Sequence, residues 1–538
     1  MYIKGCLKDF KQPFSLLTNT IKFIMKIKYS KLLIKSFLTL SLFFIYFFGN
    51  AQLLSKEKIE KVTKEKIIES IYEFKDFLAI PNIGSSPEQV EDNLHWCKNT
   101  FETLGFQVEK LQTKGAPLLF AQKKYHKNSK TILFYLQIDG QPVDSTKWDQ
   151  EHPFKPVLKK QIGLNEWKQI SFDTLKNNFD DDWRIFARSA SDSKGPAMAF
   201  ISALEIFTKK EWKPNYNIKI IMDFQEELGS PHLAKAVENY KELLQADMLF
   251  IMDGTRHLSN LPTLTYGARG IATATLTIFG PKYPLHSGQY GNFAPNPIFN
   301  ASQLIGGLKD ESGRVTIPEF YDGIELTDQE KKIINNVPES IDSTKNSLGI
   351  AKTDAIGNTY QESLQYPSLN IRGLRAGWVG KEVRTIIPSE VIVEFDMRLV
   401  PESEGERQMQ LLKKYIQDNG YHLVDSIPTD VERQKYTKLA SFTYKLGSKP
   451  FRTEFDSPIG MMANNALKRI FGDKIVNMRT TGGSQPIAAF IKTLGVDAIS
   501  IRIPNPDNNI HSPNENIRLG NFKEGIETCL AILSEPIK

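Results

Sequence analysis

Short, nearly continuous apolar runs alternate with helix-length amphipathic segments along much of this 538-residue chain. Thr131–Leu136, Ile218–Met222 and Met248–Met252 are strand-length runs with no polar face. Lys56–Phe77 carries Ile59, Val62, Ile67, Ile68, Ile71 and Phe74 on roughly one side, and Ala197–Phe207 and Ala234–Leu244 also follow the helical period. Strands without a polar face need cover on both sides, so the alternation predicts an α/β architecture with a mostly parallel sheet flanked by helices. Such sheets bind ligands beyond the carboxyl ends of their strands. There the chain places Gln137 and Asp139, Glu226 and Glu227, and Asp253.

The pattern changes after Gly267. Gly270–Phe279 alternates like a half-buried strand, Asn296–Leu308 is helical, Leu369–Leu374 and Val391–Val400 are strands, Glu404–Asp418 is helical and Tyr421–Val424 is a short strand. The order β-α-β-β-α-β predicts an inserted α+β domain of ferredoxin-like kind. The polar stretch Asp310–Gln365 elaborates it. Helix-and-strand alternation returns with Pro458–Arg469 and Ala498–Ile503, so the first domain is discontinuous: 52–267 and 432–538, with 268–431 inserted. A chain of this length exceeds what one core usually supports.

Residues 1–51 hold eight Lys and one Asp, a net charge of +7 against +6 for the whole chain, so the remainder is close to neutral. That balance gives no reason to expect nucleic acid as a partner. Lys26, Lys28, Lys31 and Lys35 precede the apolar run Phe37–Phe48, and Gly49-Asn50-Ala51 offers small residues for cleavage before Gln52. This is the layout of a signal peptide over 1–51, with Met25 as an alternative start, and it predicts export to the periplasm or outside the cell. The run is too short to span a bilayer comfortably, so no stable membrane span is expected after cleavage. Cys97 and Cys529 then remain, too few and too far apart for a disulfide framework.

Taken singly, the polar residues have ordinary explanations. Asp192, in Ser191-Asp192-Ser193-Lys194-Gly195-Pro196, suits a helix N-cap. Glu226-Glu227 suits a solvated pair at a helix start. His511 and His286 sit in polar loops, Ser512 and Pro513 suit a helix beginning after His511, and Gly482-Gly483-Ser484 suits a turn or a cradle of N–H groups for an anion. Together they offer more. A carboxylate at a strand–helix junction can bridge two cations, and neighbouring glutamates can divide the work of ligand and base in metal-assisted hydrolysis.

In this order the segments resemble the dinuclear zinc peptidase family of aminoacylase, carnosinase and cytosolic non-specific dipeptidase. The matching text is Leu136-Gln137-Ile138-Asp139-Gly140, Ser191–Pro196, Glu226-Glu227-Leu228-Gly229-Ser230, Leu285-His286-Ser287-Gly288, Arg398-Leu399-Val400-Pro401, Gly482–Pro486 and His511-Ser512-Pro513-Asn514-Glu515. The resemblance implies that 52–267 with 432–538 is a catalytic domain and 268–431 a lid that forms a homodimer. It implies Asp192 as the bridging metal ligand, Glu227 and His511 completing one metal site, and Asp253 with residue 137 completing the other. Glu226 would be the general base, and Asp139 would orient residue 137. His286 would meet the reacting carbonyl from the lid across a dimer, while Arg398, Gly482, Gly483 and Ser484 would hold the substrate carboxylate. The implied substrates are dipeptides, short peptides or N-acyl amino acids.

The chain departs from that family twice, with Gln137 where relatives have a histidine and Ser193 where they have an aspartate. An amide oxygen is a poor zinc ligand. The expectation is one firmly bound Zn²⁺ and a second site that is weak or takes another divalent ion such as Mn²⁺. His257, four residues past Asp253, is a further imidazole in the vicinity. Two functions follow: an exported metallopeptidase, or a silenced relative that binds peptides.

Overall fold

The strand Thr131–Gln137 is apolar on both sides because both sides are covered. Ile132, Phe134 and Leu136 belong to one core, Leu133 and Tyr135 to another. The structure, a computed structural model, describes residues 53–164, 166–484 and 487–537, and residues 53–538 form one compact unit. Residues 1–51, expected from the sequence to be a signal peptide, lie outside the described residues. The strand lies inside an eight-stranded sheet in the order Gln107–Leu111, Leu118–Lys123, Asn217–Asp223, Thr131–Gln137, Met248–Ile251, Asp497–Arg502, Thr263–Thr265, Val476–Met478. Its four central strands, 217–223, 131–137, 248–251 and 497–502, run parallel.

One face is covered by the helices Lys56–Leu78, Lys194–Lys209, Pro458–Phe471 and Leu519–Ser534, whose apolar sides fill the larger core. Phe134 stacks there between Phe200 and Phe250, with ring centroids 4.4 and 5.6 Å away. The opposite face is covered by Leu233–Asn239 and Lys241–Leu244, one helical stretch in the sequence reading but two here, and by Ile487, Phe490 and Leu494. Among the described residues no helix is long and apolar enough to cross a membrane.

The inserted layer is a five-stranded sheet, ordered Ser368–Arg375, Glu390–Leu399, Gly270–Phe279, Leu439–Leu446, His422–Leu423. Helices Pro297–Gly306 and Gly405–Asp418 pack on it through Ala301, Leu304, Met409, Leu412 and Ile416. The boundary expected at residue 431 falls inside this layer, because Leu439–Leu446 pairs along Gly270–Phe279. The stretch 310–365 first packs Val315, Ile317 and Phe320 into this layer's core and then docks on the larger body. Arg479 donates to Gln365 and pairs with Glu330, while Glu339 accepts from Gln361 and meets His257 at 3.1 Å.

A third sheet was not foreseen. Asn516–Arg518, Arg184–Phe186, Val157–Gly163 and Glu166–Ile170 form four antiparallel strands. They are short, and the last two are rich in Lys, Gln and Glu, so hydropathy gives them little signal. The helix expected right after Ser512-Pro513 is instead this strand Asn516–Arg518, and the helix starts only at Leu519. The pairing of 516–518 with 184–186 ties the loop of His511 to the loop of Asp192.

Candidate active site

The acidic residues come together at the carboxyl ends of the parallel strands. Asp192 precedes helix Lys194–Lys209, whose cap residue is Ser193, so the N-cap alternative for Asp192 does not hold. Glu226 and Glu227 form a single 3₁₀ turn just beyond Asn217–Asp223. His511 sits at φ 59° between strand Asp497–Arg502 and strand Asn516–Arg518. Its Nε2 lies 2.8 Å from Asp192 Oδ2 and 3.3 Å from Glu227 Oε2. One ligand atom from each of Asp192, Glu227 and His511 falls within 4.8 Å of the others.

Electrostatics show what this cluster suits. Burial, together with the charges of Asp253, Asp192, Glu227 and Asp139, pushes the Glu226 carboxyl up to about 10. Burial also pushes Asp192 up to about 7, although its bond from His511 pulls the other way. Hydrogen bonds to Asp192 and Glu227 raise His511 to about 10. Carboxylates crowded out of water call for a cation. Glu227 Oε1 is buried with no hydrogen-bond partner, as a ligand oxygen would be, while Gln141 donates to Oε2 at 2.8 Å. One nitrogen and two carboxylates form a donor set that suits zinc with an open position.

Several expected residues act differently. Asp139 does not orient Gln137: its two oxygens accept the backbone N–H groups of Glu226 and Glu227 at 3.0 and 3.1 Å. Burial, with Asp223 and Glu227, pushes it up to about 8. Gln137 is buried, and its Nε2 has no hydrogen-bond partner among the described residues. Asp253 joins the cluster through Ser193, whose Oγ lies 2.9 Å from Asp192 Oδ1 and 3.1 Å from Asp253 Oδ1. His257 is no ligand of this cluster; its ring nitrogens meet Ser259 and Glu339. His286 is exposed on the inserted layer, with Nδ1 accepting from Gly288, and is not part of the cluster. Arg398 Nη1 donates to Ser484 Oγ at 2.9 Å, which unites two of the expected carboxylate-binding residues. Gly482 and Gly483 precede Ser484 in the same loop.

The sequence reading missed what holds the loops. Glu515, fully buried, accepts from Arg188 Nη1 at 2.6 Å, from the amides of Ser189, Ser191 and Asp192, and from Ser191 Oγ. One carboxylate near His511 thus fixes the backbone of Asp192. It stood in the quoted His511–Glu515 segment, but only as motif text. Glu515→Gln leaves the buried Arg188 charge unpaired and is expected to cost about 3–5 kcal/mol, the size seen when one partner of a buried ion pair is removed. Urea unfolding checks it; a loss below about 1 kcal/mol would mean the carboxylate does not organise the loop.

Residues 133–535 match peptidase family M20/M25/M40. The chain belongs to this family. It is a family of dinuclear metal-binding peptidases, and the chain is accordingly a hydrolase. The Cys-Gly metallodipeptidase of Schizosaccharomyces pombe is 26% identical over 508 residues, covering 90% of this chain and 98% of that protein. The human Beta-Ala-His dipeptidase is 26% identical over 427 residues, covering 78% of this chain and 77% of its own. Among solved structures, the M20 family metallo-carboxypeptidase Sso-CP2 from Sulfolobus solfataricus matches with a TM-score of 0.68 at 27% identity, over 87% of this chain and 99% of that one. The M20 fold thus agrees with the α/β body and inserted α+β layer expected from the sequence.

Proposed function

We propose that this M20 chain is an exported metal-dependent hydrolase that cleaves the amide bond of dipeptides, with Glu226 as general base. The observation that carries the reading is the Asp192–Glu227–His511 cluster with Glu226 beside it. A bound Zn²⁺ would acidify water and polarise the scissile carbonyl. The protein's own contribution is positional. Asp139 fixes the Glu226–Glu227 turn, Glu515 fixes Asp192, and Gln141 orients Glu227. Glu226, whose surroundings raise its proton affinity, is placed to take a proton from water and pass it to the leaving amine. Arg398 and Ser484 offer donors for a substrate carboxylate, the group that dipeptides and N-acyl amino acids share.

Relatives that act on Cys-Gly and on β-Ala-His name the first substrates to try. The signal-like segment 1–51 and a lid-mediated homodimer belong to the same proposal. The partnerless amide of Gln137 favours a second reading, a peptide-binding protein without turnover. The protein, stripped with a chelator and reloaded with Zn²⁺, Mn²⁺ or Co²⁺, is expected to hydrolyse at least one of Cys-Gly, β-Ala-His or an N-acetyl amino acid only when reloaded. Peptide binding with no turnover under any ion would replace this reading with the second.

A further inference from the structure

Three neighbouring parallel strands end in a single row of side chains. Tyr135 stands opposite Ile251, and Ile251 opposite Ser500. Two residues further along these three segments stand Gln137, Asp253 and Arg502, at the carboxyl ends of adjacent strands. Side chains in register on parallel strands point to the same side of the sheet. Arg502 therefore ends the strand next to the one that leads to Asp253, two strands from the Gln137 amide.

The surroundings of Arg502 fix its guanidinium there. The residue is buried, and Nε donates to Thr265 Oγ1 at 3.2 Å. Gly254, directly after Asp253, has φ +90°, and a Cβ built on it would lie 1.3 Å from Arg502 Nη1. The guanidinium thus fills the space that any other residue at 254 would need. Nη2 is buried with no hydrogen-bond partner among the described residues. Asp253 and Asp192 are the carboxylates that act on its charge, opposing the effect of burial. A guanidinium stays protonated in proteins, so this positive charge is permanent.

The same place suits a second metal ion poorly. Gln137 contributes a neutral amide, and the neutral Ser193 hydroxyl lies between Asp192 and Asp253. An ion there would find no imidazole and would sit beside a fixed cation. We propose that Arg502 is the resident counter-charge of Asp253 and Asp192, and that each chain consequently binds a single divalent metal ion, at Asp192, Glu227 and His511. Arg502 is then a positioning residue that keeps the second half of the site charge-balanced without metal. This rests on the reading of Asp192, Glu227 and His511 as a metal centre.

Metal stoichiometry tests it. The purified protein, dialysed against excess Zn²⁺ or Mn²⁺ and desalted, is expected to retain one ion per chain by elemental analysis. Gln137→His alone should still retain one, because Arg502 remains. Gln137→His combined with Arg502→Met should retain two, with circular dichroism confirming the fold. A second ion in the wild type, or in Gln137→His alone, would overturn the role of Arg502 while leaving the first metal centre standing. A wild type that binds no ion would overturn both. Should the double variant fail to fold, the wild type and the single variant still decide.

Discussion

Replacing Glu226 by glutamine is expected to lower kcat for the best dipeptide by about 10²–10⁴-fold, the usual worth of a positioned general base. Bound metal and KM should hardly change. The substitution keeps shape and removes only the ability to take a proton. Glu226 lies outside the three-residue ligand set, and its backbone is fixed by Asp139 at 3.0 Å, so the turn carrying Glu227 should persist. A fall in kcat without a rise in KM marks an interaction made in the transition state. Steady-state kinetics with elemental analysis of the same samples checks this. Turnover within tenfold of wild type would remove Glu226 from the mechanism.

His511→Ala should have the opposite signature, losing metal first and activity as a result. Its Nε2 is the only nitrogen in the ligand set and touches both carboxylates, at 2.8 and 3.3 Å. Loss of a residue that merely supports a ligand costs about 10–100-fold in metal affinity, so loss of the ligand itself should exceed that range. Competition with a chromogenic chelator measures it. Activity should recover partly at high metal concentration, which Glu226→Gln will not do. Unchanged affinity would mean the ion is held elsewhere.

The parallel core was legible because burial on both faces leaves an unbroken apolar run, as in Thr131–Gln137, with chemistry starting where the run stops. The inserted layer was legible from the strict alternation of Gly270–Phe279. Leu439–Leu446 was not, since its burial is confined mostly to its first residues and it follows a polar turn. The hairpin Val157–Ile170 was missed for the same reason. At the site, the family resemblance of the motifs implied Asp192, Glu227 and His511, which read singly had ordinary explanations, while the partners of a buried carboxylate are long-range facts no local window contains. Glu515 finds Arg188 across 327 positions, and Asp139 finds the 226–227 amides across 87 and 88. Arg502 was hidden differently. It ends an apolar strand next to the one leading to Asp253, and only the strand order makes them neighbours.

The bond between His511 and Asp192 closes a span of 319 residues. A nascent or truncated chain that stops short of residue 511 has two carboxylates and no imidazole, so metal loading must wait until the carboxyl-terminal strand has paired with Arg184–Phe186. Metal capture therefore reports completed folding rather than guiding its early steps. An ion held only by the native state adds about 2.7 kcal/mol at a hundredfold excess over its dissociation constant. That gain goes to molecules in which the Asp192 and His511 loops have already met, and the metal supply becomes a check on correctly joined protein.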